Sequence, residues 1–181
     1  MIRQVNYEPS VLVTFATLYE STREVAEAIV ASLTKSVVEV VFQPIRQVRS
    51  DEKYQAMVIG APLCMIRWHK DARRFLSKHR KEIVQRPIAI FALGPIHDEE
   101  KEWQDVQKQL DKALAKYPWL NPAAVEIFGG RFDPARLRFP YSFLPAMKKI
   151  PASDIRDWAK IKSWAENLPD LLKLNQVKTD K

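Results

Sequence analysis

The sequence contains very little glycine. Only four of its 181 residues are glycine, whereas an average usage of about 7% would give roughly thirteen. Gly60, Gly94 and the pair Gly129-Gly130 each follow an apolar run, so we expect them where a strand ends in a sharp turn or approaches a ligand. No glycine lies between Thr17 and Thr22, and the Walker and dinucleotide-binding glycine motifs are absent.

The chain also has a single cysteine and no long apolar run. Cys64 alone excludes an internal disulfide and fits a reducing compartment. No apolar run approaches the ~20 residues that a membrane-spanning helix needs. The segment Met1–Ser10 lacks the apolar centre of a signal peptide. Together these features predict a cytoplasmic protein.

Nucleophilic and metal-binding side chains form no known motif in this sequence. The three histidines, His69, His79 and His97, lie far apart and have no metal-like partners nearby. A G-x-S-x-G nucleophile motif is absent, and Cys64 has no visible base or second cysteine that would make it reactive. The sequence therefore predicts no metal site and assigns no catalytic residue.

Positive charge exceeds negative charge, with a formal net charge of +7 and a pI near 9.5. This balance fits either an anionic partner or a merely basic surface. The densest basic stretch follows one helical pattern, so a solvated helix face is favoured over docking to an acidic partner. Nucleic acid is an unlikely partner because no aromatic residues alternate with these charges. The basic residues are Lys70, Arg73, Arg74, Lys78, Arg80, Lys81 and Arg86.

Apolar runs and helical patterns alternate along the chain, which predicts a parallel sheet covered by helices on both faces. Five strands in this length favour the doubly wound order 2-1-3-4-5. The last helical pattern is expected to end at Pro169. The five predicted strands are Val11–Ala16, Val37–Phe42, Ala56–Ala61, Ile88–Leu93 and Ala124–Phe128.

In this order the loops Thr17–Thr22, Pro62–Trp68 and Gly94–Glu99 would line one crevice. The first loop combines hydroxyl side chains with the start of a helix, and both supply donors to phosphate oxygens. An alternative interpretation needs no ligand, since Ser21 and Glu24 have the spacing of a capping box.

The loop Pro62–Trp68 is apolar, aromatic and sulfur-bearing, which suits contact with a flat ring system. Trp68 would cover the ring and Arg67 would neutralise an anion. Alternatively, Leu63, Met65 and Trp68 are core residues above the sheet. For Cys64, a packing role is favoured over a reactive thiol.

The segment Phe132–Pro151 mixes aromatic and aliphatic residues with arginine and lysine. An amphipathic basic stretch of this kind can lie on a membrane surface or hold a partner protein. Packing of the segment on its own domain is the favoured alternative.

Several of these motifs resemble the flavodoxin-like proteins, in particular the branch that includes the bacterial menaquinone-dependent protoporphyrinogen oxidases. Residues Ala16–Ala26 resemble the FMN-phosphate loop and first helix of that branch. Residues Tyr54–Gly60, followed by Arg67-Trp68, resemble its third strand and flavin-ring loop. Residues Gly129–Asp133 and Asp154–Trp158 resemble its C-terminal segment.

The resemblance covers Val11–Leu168 and implies a flavodoxin-like α/β fold with an extra segment after the fifth strand. The expected domain is 11–172, preceded by an N-terminal extension (1–10) and followed by a polar tail (173–181). The resemblance further implies non-covalent FMN and electron transfer, with a redox partner protein or a quinone as partner. An FMN-dependent oxidoreductase and peripheral membrane contact through 132–151 are part of this expectation. The implied cofactor-binding residues are Thr17, Leu18, Tyr19, Glu20, Ser21, Thr22, Pro62, Leu63, Cys64, Met65, Trp68, Leu93, Gly94 and Pro95.

The sequence departs from the family pattern at three implied contacts. The family usually has glycine where Glu20 stands, and commonly tyrosine and glycine where Cys64 and Ile66 stand. A carboxylate about 4 Å from a phosphate charge costs about 4 kcal/mol near a protein surface, but about 1 kcal/mol if it points into water. A positive φ at Glu20 would add strain. The alternative function is therefore a flavodoxin-like module that has lost FMN and acts as a binding or regulatory protein.

Overall fold

Five parallel strands form the central sheet. The computed structural model describes residues 10–36, 39–48, 54–64, 67–137, 141–145 and 149–174. A short additional strand, β4, pairs antiparallel with β3. The sheet order is β2-β1-β3-β5-β6, which confirms the predicted order 2-1-3-4-5 of the five parallel strands. The strands are β1 (Ser10–Phe15), β2 (Glu39–Pro44), β3 (Ala56–Cys64), β4 (Arg67–Trp68), β5 (Ile88–Leu93) and β6 (Ala124–Phe128).

Helices connect these strands, and a small second sheet follows β6. The helices are α1 (Ser21–Leu33), α2 (Lys70–Lys78), α3 (Arg80–Ile83), α4 (Glu100–Leu114) and α5 (Trp158–Leu171). Short 3-10 turns lie at Ile45–Gln47, Pro134–Arg136 and Tyr141–Phe143. The second sheet consists of β7 (Arg131–Phe132) paired antiparallel with β8 (Ser153–Asp154).

Two apolar cores lie on the two faces of the central sheet because successive strand residues point to opposite sides. On one face, Val11 and Val13 of β1 pack with Ile29 of α1 and with Ile161 and Ala165 of α5. Helices α2 and α4 cover the other face, where their apolar residues pack with those of β3 and β5. This two-sided burial explains why the strands are continuous apolar runs.

Some predicted bounds differ from the observed ones. Strand β3 continues three residues past the predicted end at Ala61, because Leu63 and Cys64 pair with β4. Helix α5 does not end at Pro169 but continues to Leu171. Pro169 lies in the last turn, where its missing N–H removes a single hydrogen bond and its ring is buried.

Several predictions fall wholly or partly outside the described residues. The predicted start of the second strand at Val37 lies outside, as do residues 1–9 of the predicted extension and 175–181 of the predicted tail. Leu174, inside that predicted tail, is buried against the α1 and α5 core. Within the described residues, no helix has the length and apolar character needed to cross a bilayer.

Candidate functional site

The loop between β1 and α1 has a left-handed backbone at Glu20. Its φ is 68° and its ψ −18°, and it occupies the cap position that precedes α1. Its carbonyl accepts from the Glu24 amide at 3.0 Å. The predicted capping box is therefore wrong: α1 begins at Ser21, and the Glu24 carboxylate pairs instead with Arg156 and Arg131.

Two threonine hydroxyls of this region are buried without a partner. Neither Thr17 Oγ1 nor Thr22 Oγ1 makes a hydrogen bond to any described residue. Thr22 is fully buried in the first turn of α1, and Thr17 is half-buried in the loop before it. The amides at a helix start also lack intrahelical partners. Buried polar groups are normally satisfied, so these two enclosed hydroxyls are unused hydrogen-bonding groups in the predicted phosphate loop and the first turn of α1.

The carboxylate of Glu20 is half-exposed and forms an ion pair with a residue in the first turn of α1. Its Oε2 lies 3.5 Å from Nη1 of Arg23, while Nε of Arg23 donates to Glu27 at 2.9 Å. These carboxylates raise the pKa of Arg23, with the Glu27 hydrogen bond as the largest cause. Glu20 thus directs its charge to Arg23 and towards water.

A cleft of about 630 Å³ lies beside this loop. The loop Thr17–Glu20 forms one wall, and the opposite wall consists of the end of β2, the following 3-10 turn and the start of α2. Pockets of roughly 300–1,000 Å³ hold small-molecule ligands. The lining residues are Phe15, Ala16, Thr17, Leu18, Tyr19, Glu20, Arg23, Phe42, Pro44, Ile45, Arg46, Gln47, His69, Lys70 and Asp71.

The start of α2 contributes a buried histidine to the cleft. His69 caps the helix, since its Nδ1 accepts from the Asp71 amide at 3.2 Å. Burial lowers the pKa of His69, and Arg46, Lys70 and Arg73 lower it further, while Asp71 opposes them. The Asp71 carboxylate accepts from Arg46 Nε at 2.6 Å. Asp71 is therefore neutralised by a cation on the same wall.

The predicted ring loop Pro62–Trp68 is folded as a hairpin rather than an open loop. Leu63 pairs with Trp68 and Cys64 with Arg67, while Met65 lies outside the described residues. Trp68 is 1% exposed, packs in the α2 and α4 core, and donates from Nε1 to the Ala61 carbonyl at 3.2 Å. This burial agrees with the alternative interpretation of Trp68 as a core residue, since a buried side chain offers no exposed face to a ring.

The predicted loop after β5 is tied to the end of β6. The Gly94 amide donates to the Phe128 carbonyl at 3.0 Å, and the Gly130 amide donates to the Pro95 carbonyl at 2.6 Å. Gly94 has a φ of 141°, a conformation that a side chain would strain. Leu93 is buried. Leu93, Gly94 and Pro95 do not line the cleft beside Thr17.

The loop after β5 also contains a contact between His97 and Glu102 that the sequence did not predict. His97 Nδ1 lies 2.7 Å from Glu102 Oε1, and the His97 amide donates to Glu102 Oε2 at 3.2 Å. His97 lies in the loop and Glu102, five residues later, lies in the first turn of α4. This contact can be predicted from the sequence only if the start of the helix is known.

An ion-pair cluster connects α1 to the chain after β8. The buried Arg156 donates from Nε and Nη2 to both carboxylate oxygens of Asp154, at 2.7 and 2.5 Å. It also donates from Nη1 to Glu24 at 2.5 Å and lies over the Trp158 ring. The hydrogen bond from Arg156 lowers the pKa of Asp154. The cluster thereby fixes the first turn of α1 against the C-terminal segment.

The structure therefore brings together part of the predicted site. Thr17, Leu18, Tyr19 and Glu20 line one cleft, and Ser21 and Thr22 follow directly in α1. Of the predicted residues in the other two loops whose side chains the structure describes, Pro62, Leu63, Trp68, Leu93, Gly94 and Pro95, none lines this cleft. Arg46, Gln47, His69 and Asp71 were not predicted as site residues. Sheet order alone places the ends of β2 and β3 near the first loop, and that signal was available in the sequence.

Comparison with known proteins agrees with this fold. The flavodoxin domain profile matches residues 12–144, more than half of the chain. No curated protein matches the chain.

Solved structures give the same result at low sequence identity. Flavodoxin 1 from Bacillus cereus is similar with a TM-score of 0.56 at 12% identity, covering 89% of this chain and 97% of that one. A flavodoxin mutant from Pseudomonas aeruginosa gives 0.55 at 10% identity, covering 91% and 99%. A mutant flavo di-iron protein from Thermotoga maritima gives 0.55 at 15% identity; the match covers 93% of this chain but only 37% of that protein. Such likeness shows the fold, and the profile match shows that the chain belongs to the flavodoxin domain family.

Proposed function

We propose that this chain binds FMN non-covalently and acts in electron transfer. The observation that carries the proposal is the pair of buried hydroxyls, Thr17 Oγ1 and Thr22 Oγ1, without partners at the start of a 13-residue helix. A buried donor without a partner costs about 1–3 kcal/mol. A phosphate monoester would satisfy both hydroxyls, and the Ser21 hydroxyl and the first amides of α1 would add donors.

The acidic residue in this loop is compatible with a phosphate. The Glu20 carboxylate is 47% exposed and lies 3.5 Å from Arg23, so water and a cation both reduce its repulsion of a dianion. The cost then lies nearer the water limit of about 1 kcal/mol than the protein-surface figure of about 4 kcal/mol. This leaves the phosphate site usable.

The ring of FMN would contact other parts of the same sheet edge. The family pattern assigns this role to Pro62, Leu63, Cys64 and Met65 and to the loop Leu93–Pro95; the buried Trp68 is not among the contacts that we propose. When bound, FMN supplies the redox chemistry. The residues around it would hold it in place and set how much water reaches it.

An oxidoreductase that uses a quinone or a redox partner protein is the finer form of this proposal. It is supported by the sequence resemblance to the menaquinone-dependent protoporphyrinogen oxidases and by the flavodoxin and flavo di-iron neighbours. No described residue identifies a porphyrin, so electron transfer is the activity that we propose.

A binding or regulatory module without flavin is the second candidate. Three observations favour it: Glu20 in the position where the family has glycine, the buried Trp68, and a cleft lining that includes no described side chain of the two ring loops. In that case the cleft would bind another ligand, or the protein would bind a partner through its surface without using the cleft.

Colour and titration separate the two candidates. We expect freshly purified protein to show flavin absorbance, or the apoprotein to quench flavin fluorescence when titrated with FMN. Riboflavin, which lacks the phosphate, should bind more weakly. A colourless protein that binds neither compound would contradict the first candidate and favour the second.

The substitution Thr22→Val tests the phosphate site directly. Valine keeps the shape but removes the unpartnered hydroxyl, so the free energy of unfolding should stay equal or rise, by up to about 1 kcal/mol. FMN affinity should fall by about tenfold, the loss of one hydrogen bond to a charged group. Urea unfolding and fluorescence titration measure the two quantities.

Thr14→Val is the matched control. Thr14 is equally buried, but its hydroxyl donates to the Gln43 carbonyl at 3.0 Å. This variant should lose stability, by about 1 kcal/mol, and keep FMN affinity. Equal FMN affinity of Thr22→Val and the natural protein would show that the hydroxyl is not a ligand.

A further inference from the structure

We infer that His69 binds the terminal phosphate of the mononucleotide by donating a hydrogen bond from Nε2. The inference rests on the proposed function and adds a ligand from outside the β1–α1 loop. His69 and the loop residues Thr17 and Tyr19 line the same cleft. His69 lies at the start of α2, outside that loop.

The hydrogen bonds of His69 determine which of its nitrogens can donate. Nδ1 accepts from the Asp71 amide at 3.2 Å and therefore carries no proton. In the neutral ring the proton must be on Nε2, which is then a donor only. Among the described residues, the polar contacts of the His69 ring involve Nδ1 and not Nε2, and His69 lines the cleft.

The position of His69 is fixed by the backbone around it. The residue is 7% exposed, its amide donates to the Pro62 carbonyl at 3.2 Å, and its carbonyl accepts from the Arg73 amide at 3.2 Å. A donor held in this way loses little conformational entropy when a ligand binds.

The charges of the cleft leave room for an anion. The two carboxylates that line it are each paired, Glu20 with Arg23 and Asp71 with Arg46. Lys70 also lines the cleft, and no described carboxylate pairs with it. The lining therefore has one positive charge in excess, and the start of the nine-residue helix α2 adds to it.

Proton binding supplies an independent readout. Burial lowers the pKa of His69 in the free protein, with Arg46, Lys70 and Arg73 lowering and Asp71 raising it. A phosphate dianion near Nε2 would raise this pKa, so binding would take up a proton on Nδ1; that nitrogen would then give up the Asp71 amide and face the Asp71 carboxylate, whose Oδ2 lies 3.7 Å away. The FMN affinity of the natural protein should then increase, relative to a variant without His69, as the pH falls from neutral through the pKa of the bound state.

The test uses His69→Asn, because the asparagine oxygen can still cap α2 by accepting from the Asp71 amide. We expect FMN to bind at least tenfold more weakly, a loss of about 1.4 kcal/mol or more, and riboflavin affinity to stay unchanged. The FMN affinity of the natural protein, divided by that of His69→Asn, should increase as the pH falls from neutral. His79→Asn is the control, since His79 is equally buried at the other end of α2, outside the cleft.

Inorganic phosphate separates failure of this inference from failure of the proposed function. Titrated into the natural protein, phosphate should shift the imidazole resonance that His69→Asn lacks. If phosphate shifts that resonance but FMN does not bind, His69 is an anion ligand and the FMN function fails. If FMN binds equally well to His69→Asn, or if neither compound shifts the resonance, the inference is overturned.

Discussion

Glu20 combines an unfavourable backbone conformation with an unfavourable charge. A residue with a Cβ costs roughly 1–2 kcal/mol in the left-handed region, and φ at Glu20 is 68°. Glu20 also lines the cleft, although its carboxylate pairs with Arg23. Glycine would adopt this loop geometry without strain, whereas Glu20 adopts it at a cost in stability.

We expect Glu20→Gly to raise both stability and FMN affinity. Loss of strain should add about 1 kcal/mol to the free energy of unfolding, and loss of the carboxylate should strengthen FMN binding several-fold. Glu20→Gln separates the effects, since it removes the charge but keeps the Cβ. Urea unfolding and FMN titration measure the two quantities.

Lys173→Gly is the control for the strain term. Lys173 also has a left-handed backbone, with φ 56°. It lies far from the cleft, because it lines a pocket at the amino ends of β3, β5 and β6. This variant should gain stability without any change in FMN binding. A stabilised Glu20→Gly protein that binds no flavin would mean that the cofactor has been lost for another reason.

At the scale of single residues, the sequence shows which side chains the first loop contains but not which residues contact them. The hydroxyls and the acidic position can be read directly from Thr17–Thr22. The partner of Glu24 cannot, because Arg156 is distant in the sequence and the local S-T-R-E spacing indicates a cap. A long-range ion pair prevailed over the local pattern, and only the packing of α5 on α1 brings the two residues together.

Among the elements, the β3–β4 hairpin has the largest consequence for function. It extends β3 beyond the neighbouring strand ends and places Trp68 in the core. The five parallel strands were predictable because burial on both faces makes them apolar throughout. A two-residue strand such as β4 has no periodicity, so a sequence pattern cannot distinguish it from an open loop.

The cluster around Arg156 should contribute strongly to stability. Removing one member of a buried ion pair typically costs about 3–5 kcal/mol. Since Asp154 is 41% and Glu24 34% exposed, we expect Arg156→Ala to lose about 2 kcal/mol, the range discounted for solvent screening. Arg156→Lys should recover little of this, because an ammonium cannot reproduce the two-pronged contact with Asp154.

The matched control is Arg23→Ala, which removes an exposed arginine that also has two carboxylate partners. Its unfolding midpoint should be unchanged. An equal loss of stability in both variants would show that burial of Arg156 is not what matters.

The cluster also predicts a pH dependence. Because Arg156 holds the pKa of Asp154 below its usual value, the stabilisation is complete above about pH 4, the unfolded pKa. It is lost as the pH falls through the folded pKa. Urea unfolding at pH values from neutral to acid should show this loss of stability. In the Asp154→Asn variant, the contribution of Asp154 to the pH dependence should be absent.

For the whole molecule, the exposed apolar residues lie partly in the segment Phe132–Pro151. Phe143 is 77% exposed and Leu144 45% exposed, while Phe132 and Leu137 are half-buried. Arg138, Phe139 and Met147 of this segment lie outside the described residues. Packing on the domain, the favoured sequence interpretation, agrees with the partial burial of Phe132 and Leu137, while Phe143 and Leu144 are exposed.

We propose that this segment contacts an anionic membrane surface. Exposed Phe143 and Leu144 would enter the interface while Lys149 attracts acidic headgroups. Arg136 is already paired with Asp133 at 3.4 Å. The protein should pellet with vesicles that contain phosphatidylglycerol, and less with phosphatidylcholine alone or at high salt. Phe143→Ser should weaken pelleting.

Val84→Ser is the control, because Val84 is 53% exposed in a different part of the chain. It should leave pelleting unchanged. Pelleting that is equal with neutral vesicles, or insensitive to Phe143→Ser, would contradict membrane contact by this segment.

The pairing of β7 with β8 has a consequence for how this domain can vary. Phe132 lies opposite Ser153 and Arg131 opposite Asp154, so the chain enters and leaves the segment through one narrow stem. Closing a loop twice as long costs only about 0.6 kcal/mol more. Related chains can therefore lengthen, shorten or exchange the tip of this stem while the sheet and its cleft stay as they are, and a reporter could be grafted there.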